Sequence, residues 1–264
     1  MAVRPMIFRY ALILIVGVVA FLLLSLSWPR LRASLRYLPV DTAMSKYWEN
    51  REANTGQLDA LIERAREAIA LHDHYRYWEG LSELQILSGQ DMGKPYWQRR
   101  QVLEQSILSA TEVVRRAPAQ PRTWLRIART RAFLGYTQDE LIPAWKMSVL
   151  TGRVEPTLML TRLELGFRYF NGLDDEAVLL LRDQAVLTWA VHRQQVLERL
   201  QSGSLDFDLM REVLSGQNQD IVADMEAHLG ISPVAGPGGN GEGGNGEGGN
   251  GEGGNGAGGN GAAG

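Results

Sequence analysis

The stretch "HDHYRYWEG", residues 72–80, concentrates the residue types that bind metals and transfer protons. It holds two of the chain's four histidines, two acids, an arginine and three aromatic residues. Imidazole and carboxylate groups are common metal ligands and general bases. His72 and His74 are two residues apart, however, and on a helix that spacing points two side chains about 200° apart. We therefore predict that the two histidines share no metal and that the stretch has no catalytic role.

Other candidate catalytic groups have simpler explanations. Asp174, Asp175 and Glu176 precede an apolar run, and acids are favoured at the start of a helix. His192 and His228 are isolated. The chain contains no Gly-rich phosphate loop, no G-x-S-x-G and no H-E-x-x-H, and it has no cysteine for thiol catalysis or zinc binding. The sequence thus predicts no catalytic residue, no metal site and no cofactor, and a chain that is not an enzyme.

Charge excludes a general nucleic-acid binder. The chain has 27 basic and 30 acidic residues, and three of the acids lie in the Gly-rich tail. The body is therefore balanced in charge, whereas a nucleic-acid-binding domain carries a basic excess. We expect protein partners and no nucleic acid.

An apolar run near the N-terminus predicts a membrane anchor at residues 10–28, after a short tail at 1–9. No charge lies between Tyr10 and Trp28, whose rings suit the two membrane interfaces. A cleaved signal peptide is the alternative, since residues 25–27 offer small side chains at a cleavage site. The apolar run exceeds the usual length of a signal peptide's apolar core, which favours the anchor.

The orientation of this anchor follows weakly from its flanking charges. Arg4 and Arg9 precede the run, and Arg30, Arg32 and Arg36 follow it, so the positive-inside rule is nearly tied. A short charged N-terminus usually stays in the cytoplasm. We expect a single-pass protein of a bacterial inner membrane with a periplasmic body. The three later arginines are read as ordinary lipid headgroup contacts.

The body carries helix signals and almost no strand signals, so the predicted fold class is all-α. Capping patterns, glycines after apolar segments and prolines between segments set the predicted boundaries. The predicted helices are 56–71, 74–88, 97–117, 122–134, 139–151, 157–170, 174–201, 205–215 and 218–229. The predicted regions after the anchor are a juxtamembrane linker at 29–53, a helical domain at 54–202, C-terminal helices at 203–231 and a tail at 232–264.

The spacing of bulky and small residues resembles the tetratricopeptide repeat. Pro118 lies six residues before Trp124, and Ile127 and Ala128 follow three and four residues later. Trp78 and Leu81 begin an earlier unit with the same spacing. The predicted repeat core comprises Trp78, Leu81, Trp124, Ile127, Ala128, Leu165, Gly166 and Tyr169.

The resemblance is degenerate. In the third unit Pro156 lies six residues before Arg162, which replaces the bulky residue. The bulky positions 78, 124 and 162 are also farther apart than the 34 residues of the standard repeat. We expect a tetratricopeptide-like array of helical hairpins, an architecture that presents a binding groove.

Arginines predict where a partner would bind. Arg122, Arg126 and Arg129 are spaced for one helix face, and in a tetratricopeptide array the first helix of each unit lines the groove. Arginine suits carboxylate or phosphate recognition. The predicted partner-binding groove comprises Arg76, Arg122, Leu125, Arg126, Arg129 and Phe133. The alternative is that these arginines form a basic helix face that contacts only solvent.

The C-terminal tail repeats a five-residue unit, GGNGE three times and then GGNGA twice. The repeats span residues 238–262, contain no apolar residue larger than alanine and cannot form a core. We expect residues 232–264 to be a disordered coil.

The stretch "SWPRLRASLRYLPVDTAMSKYW" (27–48), followed by "ALHDHYRYWEGLSEL" (70–84), resembles small membrane-anchored accessory proteins of bacterial exopolysaccharide clusters of the Vibrio biofilm-matrix type. The resemblance covers about residues 7–200 and implies a scaffold that assists a polysaccharide polymerase or exporter. An envelope chaperone serving secretion or cytochrome maturation is the alternative. An enzyme that modifies polysaccharide is a further alternative, for which the sequence offers no acid pair.

Overall fold

The computed structural model describes residues 4–50, 55–216 and 218–231. These residues form helices and contain no strand, which confirms the all-α prediction. Short 3-10 turns lie at Thr55–Gln57 and Phe170–Gly172. The α-helices are α1 Arg4–Asn50, α2 Leu58–Leu71, α3 Tyr75–Gln90, α4 Tyr96–Arg116, α5 Pro121–Leu134, α6 Gln138–Thr151, α7 Pro156–Arg168, α8 Asp175–Gln201, α9 Phe207–Leu214 and α10 Gln219–Leu229. The predicted tail lies outside the described residues.

Local capping explains several helix ends. Thr137 and Glu140 form a reciprocal capping box at the start of α6. The Asp174 carboxylate accepts a hydrogen bond from the backbone N–H of Ala177 and begins α8. Gly135 ends α5 with φ at 78°, a left-handed conformation that glycine adopts without steric cost.

Helix α1 is longer than the predicted anchor. It runs for 47 residues through Pro29 and Pro39, so most of the predicted juxtamembrane linker is helical. A proline inside a helix removes a hydrogen bond. Buried residues spaced four, three and four apart compensate by fixing the second half of α1 against α2 and α3: Ala33, Tyr37, Val40 and Met44.

The side chains of α1 from Leu12 to Arg32 are all exposed. Its most apolar 18-residue window has a mean hydropathy of 2.5, and none of that window is buried. The helix is therefore long and apolar enough to cross a membrane. After Trp28 the helix leaves the apolar run, and Ala33 is the first of its later residues to be buried, on the face that packs against the body.

The later helices pack as antiparallel pairs joined by short turns. In the pair α7–α8, His192 bonds the Pro156 carbonyl at one end, and Gly166 meets Leu181 at the other. Likewise, α3 packs against α4, and α5 packs against α6, each helix against the next one in the chain. Helices α1 to α3 share one core, and α4 to α10 share a second.

The predicted helix 74–88 ends one residue before Gly89, but the structure continues the helix past this glycine. It lies inside α3, which continues to Gln90. A Cβ at this position would lie 2.5 Å from the Leu103 side chain, so the glycine allows close packing of α3 on α4.

Candidate functional site

The two tryptophans of the predicted repeat core have the same local role. Each is the fourth residue of its helix and donates its indole N–H to the turn before that helix. The acceptor is the Asp73 carboxylate at 2.7 Å for Trp78, and the Pro118 carbonyl at 2.8 Å for Trp124. The other predicted core residues lie in the two cores, with Tyr169 only partly buried: Leu81, Ile127, Ala128, Leu165, Gly166 and Tyr169.

Arg162 departs from this pattern. It is fully buried in α7, and its guanidinium donates to the Ser148 hydroxyl at 3.0 Å and to the Gly152 carbonyl at 2.8 Å. Burial lowers the pKa of Arg162 to about 10, so it remains charged at neutral pH. The side chain connects α7 to the end of α6, which is a structural task.

A cleft of about 400 Å³ lies where α1 and α3 meet the start of α5. We call it the tryptophan cleft, after Trp48 at its rim. Its walls carry both signs of charge. The lining residues are Tyr37, Asp41, Met44, Trp48, Arg76, Glu79, Gly80, Glu83, Gln120, Pro121, Arg122 and Glu155.

One acid of the tryptophan cleft, Glu83, forms an ion pair with Arg126, which does not itself line the cleft. Arg126 donates to the carboxylate of Glu83, and the two side chains are only 10% and 16% exposed. Trp48 also hydrogen-bonds this carboxylate. Burial raises the pKa of the Glu83 carboxyl, and the charge of Arg126 opposes that rise. Since Arg126 already has a partner, it does not serve the predicted groove as a free cation.

The structure separates the other predicted groove residues. Arg76 and Arg122 line the tryptophan cleft, and the Arg122 guanidinium lies 5.9 Å from the Trp48 ring centroid. Leu125 is 3% exposed and packs in the core, so it does not reach a groove. Arg129 and Phe133 are exposed farther along α5 and are not among the cleft residues.

A second cleft, of about 520 Å³, opens beside the first where the α2–α3 turn meets α1. We call it the histidine cleft. It shares Tyr37, Asp41 and Arg76 with the tryptophan cleft. The lining residues are Arg30, Ser34, Tyr37, Asp41, His72, Asp73, His74, Arg76 and Tyr77.

Two tyrosines hold α1 against α3 at the floor of this cleft. Their ring centroids are 4.7 Å apart. The Tyr37 hydroxyl donates to the Arg76 carbonyl at 3.2 Å, and the Tyr77 hydroxyl lies 3.1 Å from the Ser34 hydroxyl. Burial, followed by the nearby acids, raises the pKa of Tyr37, so its hydroxyl stays protonated and remains a donor.

The two histidines of "HDHYRYWEG" do not point apart as predicted. His72 directly follows α2 and His74 directly precedes α3, so neither lies inside a helix, and their rings stack with centroids 6.0 Å apart. The Nδ1 atom of His74 accepts from the Arg76 backbone N–H at 3.4 Å. Burial, and then the neighbouring cations, lowers the pKa of His74. Among the described residues no group of three or more His, Asp or Glu side chains is placed to hold a metal.

Asp73, the acid between the histidines, belongs to a neighbouring contact. Its carboxylate accepts from Arg116 at 2.7 and 2.6 Å and from Trp78. These hydrogen bonds, led by the one from Arg116, lower the pKa of Asp73 and keep it charged. The carboxylate therefore joins the α2–α3 turn to the end of α4.

Sequence reasoning missed the residues of α1 that build both clefts. Tyr37, Asp41 and Trp48 fell in the predicted linker. The signal that identifies them is the apolar spacing from Ala33 to Met44, which is typical of a helix that packs on one face.

Comparisons with protein families, with curated proteins and with solved structures find no match to this chain.

Proposed function

We propose that this chain is a single-span membrane protein whose helical body binds an extended segment of a partner protein in the envelope. One observation carries the proposal. Helix α1 continues from its apolar half into the body, where Tyr37 and Trp48 become walls of the tryptophan cleft. The anchor and the binding surface are parts of one element, which fits a scaffold that holds a partner beside a membrane.

The cleft favours a peptide partner over a small molecule. It is an open trough between helices, it carries acidic Glu79 and Glu155 beside basic Arg76 and Arg122, and Trp48 adds an aromatic surface. Peptide segments in helical-repeat grooves use such mixed polar and aromatic contacts. We assign the body to a degenerate tetratricopeptide-like array, supported by the consecutive helix pairs and by the matching roles of Trp78 and Trp124.

The biological setting rests on the sequence resemblance. We propose that the partner is a polymerase or exporter of an exopolysaccharide, that the body is periplasmic on the bacterial inner membrane, and that the chain itself is not an enzyme. An envelope chaperone would use the same cleft, and the identity of the bound partner separates the two.

Affinity capture of the full-length protein from detergent-solubilised membranes of a matrix-producing host tests this proposal. Arg122→Glu reverses a charge that lines only the tryptophan cleft, and Arg64→Glu on the exposed face of α2 is the matched control. We expect a polysaccharide polymerase or exporter to be captured with the unmodified protein and the control, and to be lost with Arg122→Glu. Equal capture by both variants would contradict the proposal, and a secretion or cytochrome client would favour the chaperone.

A further inference from the structure

The histidine cleft lies beside the end of the apolar run. Arg30 is two residues beyond Trp28 and Ser34 is six residues beyond it, which places them about 3 and 9 Å along α1. The polar headgroup region of a bilayer is about 5–7 Å deep on each side. If α1 spans the membrane to Trp28, the mouth of this cleft lies at headgroup depth.

Two arginines and one acid of the cleft lining have no ion-pair partner among the described residues, so cations are in excess there. The neighbouring arginines Arg116 and Arg126 have carboxylate partners, whereas no ion pair joins Arg30 or Arg76 to any carboxylate of the described residues. Of the two acids in the lining, Asp73 is bound by Arg116, which leaves only Asp41. Two guanidiniums on different helices face one cavity, and a phosphate suits their paired N–H groups.

The helix ends and rings add donors for an anion. Helix α3 begins at the cleft and presents the positive end of its dipole there, although the backbone N–H groups of Arg76 and Tyr77 already donate to His74. Because Nδ1 of His74 accepts from the Arg76 backbone, its neutral ring carries the proton on Nε2. The Ser34 and Tyr77 hydroxyls bond each other and retain one further donor between them.

From this arrangement we propose that the histidine cleft binds the phosphate of an anionic phospholipid headgroup, with Arg30 and Arg76 as its principal ligands. The inference rests on the membrane anchor of the proposed function; Arg30 lines only the histidine cleft, whereas Arg76 lines both clefts. Binding would fix the body at one height and one rotation above the bilayer, because Arg30 belongs to α1 and Arg76 to α3.

Thermal unfolding of the full-length protein in maltoside detergent tests the site. Dihexanoyl-phosphatidylglycerol is added, and dihexanoylglycerol, which has the same chains without phosphate, is the matched ligand control. At lipid concentrations well above the dissociation constant, we expect the unfolding midpoint to rise by roughly 3–6 °C with the phospholipid. No such rise should follow addition of the diacylglycerol.

Variants from two helices identify the residues. Arg30→Gln and Arg76→Gln should each remove most of the rise, whereas Arg64→Gln, which lines neither cleft, should keep it. If one variant fails to fold without lipid, the other still decides. Inorganic phosphate distinguishes the source of the phosphate: protection by phosphate alone would overturn the lipid assignment. An equal rise with diacylglycerol, or an unchanged rise in both variants, would overturn the site.

The test separates the two proposals. The lipid response is tested with Arg30→Gln, and Arg30 lines only the histidine cleft. Partner capture is tested with Arg122→Glu, and Arg122 lines only the tryptophan cleft. Loss of one effect with the other intact therefore identifies which proposal has failed.

Discussion

The hydroxyl of Tyr37 occupies the space that a side chain at position 80 would fill. A Cβ built on Gly80 would lie 1.8 Å from the Tyr37 oxygen and 2.9 Å from the ring carbon that bears it. The glycine thus admits α1 to the surface of α3. This contact connects the anchor helix to the body, and both clefts depend on it because Tyr37 lines each of them.

We predict that Gly80→Ala loosens the junction of α1 and α3. Overpacking at such a contact costs about 1–3 kcal/mol, and the free energy of unfolding in denaturant should fall by that amount. In a double-mutant cycle, the same change made with Tyr37→Phe should cost less, because the nearest clashing atom is gone, with a coupling of about 0.5 kcal/mol or more. Additive effects would argue against direct contact of the two residues.

Removing one member of the Arg126–Glu83 pair should destabilise the protein more than replacing both members with apolar residues. Removing one member leaves the other charge buried, so Arg126→Met alone should cost about 3–5 kcal/mol. Arg126→Met together with Glu83→Leu should cost much less in the same unfolding experiment. If the double variant loses as much unfolding free energy as the two single variants together, the two side chains are not coupled.

Arg162 should behave as a structural cation. Arg162→Met leaves the carbonyls of Ser148 and Gly152 without this donor, and we expect a loss of about 3 kcal/mol or more. Arg168→Met on the exposed side of the same helix is the control and should change the stability by less than about 0.5 kcal/mol. Partner capture by Arg162→Met, measured well below its unfolding temperature, should be unchanged.

His74 should make stability depend on pH. Its pKa is lowered in the folded protein by burial and by His72, Arg76 and Arg30, against the opposing charge of Asp73. The unfolded chain therefore binds more protons, and stability present above the unfolded pKa of 6.5 is lost as pH falls through and below that value. His74→Asn keeps a capping side chain that does not titrate, so unfolding midpoints measured below pH 7 should fall less steeply for this variant. Parallel pH profiles would contradict the assignment.

Local signals were enough to predict the helices. The capping box at Thr137, the cap at Asp174 and the left-handed Gly135 each act within a few residues, so the ends of α6, α8 and α5 could be read directly. The helix over residues 29–50 was not predicted, for the converse reason. Pro29 and Pro39 signal a break locally, but distant packing on α2 and α3 keeps α1 helical.

The clefts could not be predicted from the sequence because residues from distant segments of the chain form them. Arg126 reads as a free cation on its own helix, yet Glu83, 43 residues earlier, neutralises it. Tyr37 and Gly80 lie on different helices and fit each other by packing that sequence spacing does not predict. The repeat pattern did locate Trp78 and Trp124, because their role is repeated locally before each helix.

The depth of helix α2 in a bilayer tests the central claim, that α1 is one helix and holds the body against the membrane. The chain has no cysteine, so single spin labels can be placed at Ala60→Cys and Ala70→Cys, two exposed positions on α2. They are separated by about 15 Å along the helix. In lipid nanodiscs, we predict from oxygen and nickel-chelate accessibility that the label at 70 lies at headgroup depth and the label at 60 lies in water. Equal depths for the two labels would mean that the body moves freely on a flexible linker, and would contradict the account.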